Sequence, residues 1–498
     1  MSDDRSVYVG LDLGTSGLKA VACTTDGDVV ARAAAGYPTQ RPEAGAAEQE
    51  TADWLAAMRD VLSDLAAQED PTTWRCLGLS AMIPTMVTAD DWGYATGPAV
   101  TWEDARSESE AEEFHLRVGD LYAVTGQRLD GRYLMPMLAR LGRVDAERVG
   151  GSTWLLGAKD FLHWWLTGEP ATDPSTAAGF GAHELVTGSW NESMSQALSS
   201  LLMGLAPRLP PVRPSVSRTT LRPELAAELG LPVGLEVCLG AADSVAGAEG
   251  MGVLDPGTVA YVAGTSTVIL GASDRPRLDP RRRYLVTPMA RPDIWGLEMD
   301  LLTTGAALHW LAGLSGSSEG ELVEAAYGRD ALSAPTFLPF LSPGEQGALW
   351  DPHVSGTVLG LTLGHDVADV ARGLITGVLV ESRRCLAVLA ETTATPGPVH
   401  VSGGGMASRG MAQELADASG RTVVWSAETH DHSALGAARL AAASCGATFG
   451  VGGSRGRSVT LVPDTSAAER WAALSRRHDS LLASVAPDAV VVARAVDT

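Results

Sequence analysis

Two short stretches rich in glycine and hydroxyl residues have the composition of phosphate-binding turns. The first is Gly14-Thr15-Ser16, which lies between two β-rich runs at residues 7–13 and 18–23. Glycine has no Cβ, so backbone N–H groups and hydroxyls at such a turn can approach a bulky anion closely. Asp12 lies just before the turn, where a carboxylate can hold a hydrated divalent cation. An ordinary tight turn between two strands is the alternative, and one copy of the motif does not decide between them.

A second copy of this pattern lies near the middle of the chain. Gly264-Thr265-Ser266 again separates two strand-like runs, and its glycine follows Gly14 by 250 positions in a chain of 498 residues. A repeat spaced by half the chain length indicates a duplicated architecture. Two such turns that face each other across a cleft would bind a polyphosphate from both sides.

A carboxylate suited to proton transfer lies in the stretch 237–247. A strand is predicted to end there in small residues, and Asp243 follows at the start of a small-residue helix. From that position a carboxylate can reach a substrate hydroxyl and act as general base while the oxygen attacks the γ-phosphorus of ATP. The alternative is that Asp243 only caps the helix.

The segments around these motifs are predicted to alternate between strands and helices. Three strands are expected within residues 7–34, an amphipathic helix over 52–67, and two strands at 76–81 and 85–89. Strand, helix and strand in this order predict a mixed α/β sheet. In the second half, the pattern predicts a strand over 295–300 and helices over 303–314, from 367 onward and over 466–485.

Length and charge restrict the class of protein. A chain of 498 residues has room for two or more domains with ample cores. The formal net charge is −23, and such an acidic surface repels nucleic acid and anionic membranes, so neither is expected as a partner. A nucleotide can still bind at a local glycine-rich site together with Mg²⁺.

Cysteines and apolar runs indicate the compartment. The five cysteines are far apart, with no spacing that suits zinc or a disulfide framework, and they are expected to be buried free thiols. The polar, acidic N-terminus is unlike a signal peptide, and no apolar run reaches the roughly 18 residues of a transmembrane helix. We therefore expect a cytoplasmic protein.

Taken together, the motifs resemble those of the FGGY carbohydrate kinases, a family within the actin-like ATPase superfamily. Residues 12–19 resemble the first phosphate motif of that family, and Gly264-Thr265-Ser266 is similar to the second. Gly403-Gly404-Gly405 resembles the adenosine motif, and residues 434–438 resemble the helix that follows it. These matches occur in the family's order over nearly the whole chain.

The resemblance implies an α/β fold with two actin-like, ribonuclease H-like domains. Each domain would have a mixed central sheet flanked by helices, with the ATP and sugar cleft between them. Residues 1–250 would form the N-terminal domain, with the sugar site, the first phosphate hairpin and Asp243. Residues 251–498 would form the C-terminal domain, with the second phosphate hairpin, the adenosine site and the last helix. A hinge is expected near Asp255-Pro256-Gly257.

The resemblance also implies roles for individual residues. ATP would contact Gly14, Thr15, Ser16, Gly264, Thr265, Ser266, Gly305, His309, Gly404 and Gly405, and Asp12 would hold Mg²⁺. The substrate would contact Met82, Trp102, Asp104, Asp243 and Ser244. For His309 the alternative is a packed side chain. Residues 100–106 are also predicted to open an acidic helix that runs to about residue 124. The alternative is therefore that the Asp104 carboxylate interacts favourably with the dipole of this helix and that Trp102 lies in the core.

Two departures from the family pattern concern the sugar site. Pentulose kinases of this family usually carry Gln-Met-His-Gly where this chain has Met82-Ile83-Pro84-Thr85, and Ile83 and Pro84 have no side chain that can hydrogen-bond. The family usually follows its catalytic aspartate with Asn or Gln, and this chain has Ser244. The phosphotransfer machinery is therefore better supported than any particular sugar.

The expected function is an ATP- and Mg²⁺-dependent kinase of a small sugar, with a ketopentose such as D-xylulose as the first substrate hypothesis. Another polyol or a sugar acid such as gluconate is the second. A non-catalytic nucleotide or sugar sensor on the same fold is an alternative that the altered sugar loop and Ser244 favour. An actin-like chaperone or filament ATPase is a weaker one, against which residues 100–106 and 237–247 argue. A homodimer is left open.

Overall fold

The computed structural model of the chain describes residues 6–342, 347–351, 353–406, 408–426, 431–449 and 458–486. Within these ranges the strands are, in chain order, β1 (Val7–Leu13), β2 (Gly17–Thr24), β3 (Val29–Gly36), β4 (Glu48–Gln49), β5 (Trp74–Ala81), β6 (Met86–Ala89), β7 (Ala99–Val100), β8 (Trp154–Gly157), β9 (Arg218–Thr220), β10 (Glu236–Ala242), β11 (Val259–Ala263), β12 (Thr267–Ser273), β13 (Leu285–Pro288), β14 (Trp295–Leu301), β15 (Thr336–Leu338), β16 (Thr357–Leu359), β17 (Val399–Ser402), β18 (Val423–Ser426) and β19 (Ser458–Leu461).

Helices separate most of these strands. In the same ranges the α-helices are α1 (Thr51–Gln68), α2 (Glu108–Val118), α3 (Tyr122–Thr125), α4 (Leu134–Val144), α5 (Ala146–Gly150), α6 (Ala158–Thr167), α7 (Pro174–Ala178), α8 (Glu192–Leu201), α9 (Pro223–Leu229), α10 (Asp243–Met251), α11 (Gly305–Ser315), α12 (Glu319–Tyr327), α13 (Val367–Ala390), α14 (Arg409–Ser419), α15 (His432–Ser444) and α16 (Ala468–Val485).

The first sheet orders its strands β3-β2-β1-β5-β10-β9. β1, β2 and β3 run antiparallel, whereas β5 is parallel to both β1 and β10, so the sheet is mixed, as predicted. Successive residues of β1 alternate between the two faces. Val7, Val9 and Leu11 pack in the core that contains residues of α1 and α6, and Tyr8 packs in the core on the opposite face. Asp12 therefore emerges on the face opposite α1.

The second sheet repeats this arrangement with the order β13-β14-β12-β11-β17-β18-β19. The antiparallel pair β11–β12 corresponds to β1–β2, and β17 lies parallel to β11 as β5 does to β1. A large core that includes buried residues of α11 through α14 covers one face of the sheet. The duplication predicted from the two glycine turns is confirmed at the level of strand order. Two smaller sheets have the orders β4-β7-β6-β8 and β15-β16.

Helices α10 and α15 form a shared layer between the two sheets, which we call the hinge layer. Its core joins residues of the first sheet, both helices and the second sheet in one cluster. α15 belongs to the C-terminal half of the sequence, yet it packs against β1, β5 and α10. Glycines allow this close approach, because a Cβ on Gly10 would lie 1.8 Å from the Ala434 carbonyl oxygen and one on Gly436 would lie 1.8 Å from that of Ala246.

The acidic helix predicted to open at residues 100–106 begins later. Residues 101–107 lie between β7 and the start of α2 at Glu108, and a separate short helix, α3, follows. Asp104 explains the difference, because its carboxylate accepts hydrogen bonds from the backbone N–H groups of Ala47 and Arg106 at 3.0 Å each. These bonds stabilise a turn, so the prediction of one continuous helix to residue 124 was wrong.

Candidate active site

A cleft of about 540 Å³ opens between the two sheets, and residues from both halves of the chain line it. The structure brings half of the predicted site residues, eight of sixteen, together there. From the first half these are Asp12, Thr15, Trp102, Asp243 and Ser244, and from the second half Gly264, Thr265 and Ser266.

The first glycine turn is held by side chains around it. The Gly14 N–H donates to the Gly17 carbonyl at 3.0 Å, and the Tyr37 hydroxyl donates to the carbonyl of Gly14. Gln49 Nε2 donates to the Thr15 carbonyl at 2.8 Å, and Trp102 Nε1 donates to the Thr15 hydroxyl at 3.0 Å. Trp102 thus links the predicted sugar site to the predicted phosphate turn.

The second glycine turn is held mainly by backbone contacts. The Gly264 N–H donates to the Ser266 carbonyl at 2.8 Å, and the N–H of Ala306, in the first turn of α11, donates to the Thr265 carbonyl at 2.9 Å. Gly305 permits this contact, because a Cβ there would lie 2.2 Å from the Gly264 carbonyl oxygen. Gly305 therefore packs against the backbone of the turn and does not line the cleft.

Asp243 lies where β10 runs directly into α10. Ala242 occupies the N-cap position and Asp243 is the first helical residue, so its carboxylate does not act as the helix cap. Its Oδ1 accepts a hydrogen bond from the Ser244 N–H at 2.9 Å. Burial raises the pKa of Asp243 well above its ordinary value, and the negative charge of Asp12 raises it further. A carboxylate with a raised pKa is a stronger proton acceptor once it is ionised.

A buried ion-pair network supports the strand end that carries Asp243. The ammonium of Lys159 lies 3.2 Å from carboxylate oxygens of both Asp160 and Asp173, and all three side chains are fully buried. The Ser175 hydroxyl donates to Asp173 at 2.6 Å and accepts from the Ala242 N–H at 2.9 Å. The network therefore contacts the residue immediately before Asp243.

Asp12 has the surroundings of a residue that could hold a magnesium ion with water. The Ser80 hydroxyl donates to its Oδ1 at 2.8 Å, and burial raises the pKa of Asp12 to about 6. The residues that the structure describes contain no group of three or more His, Cys, Asp or Glu suited to a metal. Mg²⁺ usually keeps several waters and needs only one or two protein carboxylates beside substrate phosphates, so Asp12 fits this type of site.

Several residues predicted to contact ligands lie outside the cleft lining, namely Gly14, Ser16, Met82, Asp104, Gly305, His309, Gly404 and Gly405. Asp104 is buried and engages Arg106, with Oδ2 to Nη2 at 2.6 Å. The side chain of Met82 is 1% exposed and packs in the core beside β1. His309 is 80% exposed and pairs with Glu319 through a 2.7 Å contact. In place of Met82, the cleft is lined by Ile83 and Pro84, which follow it in the sequence. In place of Gly404 and Gly405, it is lined by Gly403.

Other cleft residues were missed by the sequence analysis. Glu298 and Asp300 of β14 line the cleft, as do Gln127, Arg128, Arg132 and Lys19. The two acids alternate along β14 with Leu297, Met299 and Leu301, which are buried in the second core. This two-residue period predicts a polar face on the strand. Nothing in sequence spacing indicates which cleft that face borders.

Comparison with known proteins identifies the family. Residues 7–250 match the N-terminal domain of the FGGY family of carbohydrate kinases, and residues 259–445 match its C-terminal domain. The chain is similar to the xylulose kinase of Escherichia coli strain K12, with 30% identity over 437 residues that cover 87% of this chain and 89% of that protein. It is also similar to the gluconokinase of Bacillus subtilis strain 168, with 26% identity over 453 residues that cover 87% of each chain.

Solved structures of carbohydrate kinases share this fold. The structure of xylulose kinase from Rhodospirillum rubrum superposes with a TM-score of 0.87 and 28% sequence identity, over 97% of this chain and 100% of that one. This confirms the predicted two-domain actin-like fold. No helix in the described ranges has both the length and the apolar composition needed to cross a membrane. Kinases of this family use ATP as phosphoryl donor, and two glycine turns that share a cleft with Asp243 suit that chemistry. The chain is a member of the FGGY family of carbohydrate kinases.

Proposed function

We propose that this carbohydrate kinase transfers the γ-phosphoryl group of ATP to a hydroxyl of a small neutral sugar, most directly a ketopentose such as D-xylulose. One observation carries the proposal: Asp243 and Asp12 line the same cleft as Thr15 of the first glycine turn and residues 264–266 of the second.

In the proposed mechanism the two turns bind the phosphates with backbone N–H groups and with the hydroxyls of Thr15, Thr265 and Ser266. Asp12 would hold Mg²⁺ with water, and the ion would offset the charge of the phosphate oxygens. Asp243 accepts the proton of the attacking hydroxyl as that oxygen approaches the γ-phosphorus. Adenosine would lie against the glycines that follow β17, with Gly404 and Gly405 as backbone neighbours. His309 has no contact that supports a role with the nucleotide, because its side chain points to solvent and pairs with Glu319.

The charge of the cleft supports a neutral acceptor. Glu298, Asp300 and Asp130 line the cleft together with Asp243, and the charges of Glu298 and Asp300 raise the pKa of Asp243. Burial raises the pKa of Asp300 to about 8, so at neutral pH this group is mainly protonated and can donate a hydrogen bond to a sugar hydroxyl. The carboxylates of Glu298 and Asp130 would disfavour a negatively charged substrate. Similarity to the Escherichia coli xylulose kinase also supports a ketopentose.

A sugar acid is the second candidate, and two arginines favour it. Arg128 and Arg132 line the cleft, and the chain is similar to a Bacillus subtilis gluconokinase. However, Arg132 Nε lies 3.1 Å from both carboxylate oxygens of Asp130, so that carboxylate already offsets much of its charge. We therefore rank the neutral sugar first.

We also propose that the two domains divide at the end of α10, as residues 1–250 and 251–498. The chain turns at Asp255, whose carbonyl accepts from the Thr258 N–H at 3.1 Å, before it enters β11. Closure of the domains on bound substrates would exclude the water that otherwise hydrolyses ATP.

An acceptor panel tests the proposal. Purified protein with ATP and Mg²⁺ is offered D-xylulose, D-ribulose, glycerol and D-gluconate, and ADP release is measured beside an Asp243→Ala variant. The proposal predicts sugar-dependent ADP release that is fastest with a ketopentose and absent in the variant. Faster turnover of D-gluconate than of the neutral sugars would show that a sugar acid is the preferred substrate. Nucleotide binding without turnover of any sugar would favour the sensor.

A further inference from the structure

Two cysteines from opposite halves of the sequence meet at the edge of the hinge layer. Cys76 lies on β5 and is fully buried, and Cys445 follows the last residue of α15 and is partly exposed. The two thiols interact, which raises the pKa of Cys76 and lowers that of Cys445. The Ser444 hydroxyl lies 3.8 Å from Cys76 Sγ and 3.9 Å from Cys445 Sγ. The expectation of buried free thiols is confirmed for Cys23, Cys76, Cys238 and Cys385, whereas Cys445 departs from it.

The surroundings of Cys445 are those of a reactive thiol. Arg218 Nη1 lies 3.7 Å from Cys445 Sγ, and a nearby cation favours the thiolate, which is the nucleophilic form. The interaction with Cys76 lowers the pKa of Cys445, with a smaller contribution from Arg218. The same interaction and burial raise the pKa of Cys76, which therefore stays protonated. A partly exposed thiol with a lowered pKa beside a buried thiol is the arrangement of a reactive and a resolving cysteine.

We propose that Cys445 and Cys76 form an oxidant-sensitive pair that closes to a disulfide in the presence of a hydroperoxide. The Cys445 thiolate attacks one peroxide oxygen, the O–O bond breaks, and the products are a sulfenic acid on Cys445 and hydroxide. Cys76 then loses its proton, and its sulfur attacks the Cys445 sulfur. The S–S bond forms and the sulfenic oxygen leaves as water. Overall the two thiols lose two electrons and two protons, and the peroxide is reduced.

A disulfide between Cys76 and Cys445 would affect movement between the two sheets. β5 is a central strand of the first sheet, and the chain after Cys445 continues to β19 of the second sheet. A disulfide would join the end of α15 covalently to β5 and restrict movement of the second sheet relative to the first. If the two domains close during turnover, as proposed above, the oxidised protein should turn over more slowly. This effect on turnover rests on the proposed function, whereas formation of the disulfide does not.

The test uses the full chain and hydrogen peroxide, with peptide mapping after alkylation of the remaining thiols. The expected product is a peptide pair joined through Cys76 and Cys445, two hydrogens lighter than the reduced pair and restored by dithiothreitol. In wild-type protein at neutral pH, Cys445 should react with iodoacetamide at least about tenfold faster than any other cysteine. A Cys76→Ser variant should accumulate a sulfenic acid on Cys445 that a 1,3-dione probe traps. Cys385→Ser serves as matched control and should still form the bond.

Three outcomes would overturn the proposal: a bond from Cys445 to Cys238, oxidation of Cys445 beyond sulfenic acid without any bond, or equal alkylation rates for all the thiols. Turnover is measured separately. A protein that forms the disulfide but shows no sugar kinase activity in either state would contradict the proposed function and leave the thiol pair established.

Discussion

Asp243 and Asp12 illustrate at the residue scale how burial prepares a carboxylate for proton transfer or cation binding. Both line the same cleft, and burial is the first cause of the raised pKa of each. Glu298 and Asp300 add to the shift at Asp243. A general base works best when its pKa lies near the operating pH, so under the proposed mechanism Glu298 and Asp300 would bring the pKa of Asp243 closer to that pH.

The pH dependence of catalysis should report this tuning. Because the pKa of Asp243 is raised, kcat/KM should fall as pH decreases through a value above the ordinary aspartate range, since the protonated carboxyl cannot accept the hydroxyl proton. Glu298→Gln removes one negative charge and should move this acid limb to lower pH. Glu319→Gln, on the solvent-exposed α12, is the control and should not move it. An acid limb that stays in place in Glu298→Gln would contradict the assignment of the limb to Asp243.

Asp12 should lower the stability of the ligand-free protein. Its pKa is raised to about 6 in the folded state, so the folded state binds more protons than the unfolded state between about pH 4 and pH 6, and stability falls as pH rises through this window. Asp12→Asn keeps the hydrogen bond from Ser80 and should increase the free energy of unfolding at about pH 8 by up to about 3 kcal/mol. At pH values below about 4 the gain should vanish.

Urea denaturation of nucleotide-free protein at several pH values measures this difference. Asp91→Asn, at an exposed position, is the control and should leave the pH dependence of stability unchanged. If Asp12→Asn were no more stable than wild type at about pH 8, burial would not be the cause of the shift.

At the element scale, the Lys159 network explains how α6 and α7 hold the end of β10 in place. The chain contains two lysines, Lys19 in the cleft and Lys159 in the interior. Lys159→Met should destabilise the protein by roughly 3–5 kcal/mol, because it leaves Asp160 and Asp173 buried without their cation. Thermal unfolding measures the loss, and Lys19→Met, at a half-exposed side chain, is the matched control with a small expected effect. Equal stability of the two variants would contradict the structural role of the network.

Helix α15 depends on glycine for its place between the sheets. A Cβ at Gly436 would lie 1.8 Å from the Ala246 carbonyl oxygen, so Gly436→Ala should push α15 away from α10 and cost about 1–3 kcal/mol or more. Gly313→Ala is the control, because Gly313 is an exposed residue of α11 with open space around its Cβ position, and alanine there should stabilise the helix by about 0.5–1 kcal/mol. Denaturant titrations measure the change in the free energy of unfolding for each variant. A loss of stability in Gly436→Ala and a gain in Gly313→Ala would confirm the packing, whereas changes of the same sign would contradict it.

The elements themselves were largely predictable, and their partners were not. Alternating apolar residues and glycine turns predicted β1–β2 and β11–β12, because strand period and turn chemistry are local properties. The crossing of α15 to the first sheet depends on glycines at Gly10 and Gly436, which lie more than 400 residues apart. The turn at Asp104 was missed because its hydrogen bond to Ala47, 57 residues away, is also non-local. Local pattern located Asp243 and both turns, but not Glu298, Asp300 or Lys159 as their neighbours.

At the scale of the whole molecule, the halves of the chain meet in the hinge layer. They also meet where residues 122–127 lie against β13. In the second contact, Gln127 Nε2 donates to the Val286 carbonyl at 2.9 Å, the Val286 N–H donates to the Gly126 carbonyl at 2.9 Å, and the Tyr122 hydroxyl donates to the Tyr284 carbonyl at 2.8 Å. The cleft lies between halves that are joined both in the hinge layer and beside β13.

The central claim is that Asp243 removes the proton of the attacking hydroxyl in this cleft. Its most direct test is turnover of the best sugar by Asp243→Asn, measured beside the affinity for ATP and the thermal unfolding of the same preparation. We predict that kcat falls by at least about 100-fold while ATP affinity changes little and the fold stays intact, because only the proton acceptor is removed. A kcat within about tenfold of wild type, in a variant that still binds ATP, would contradict the claim.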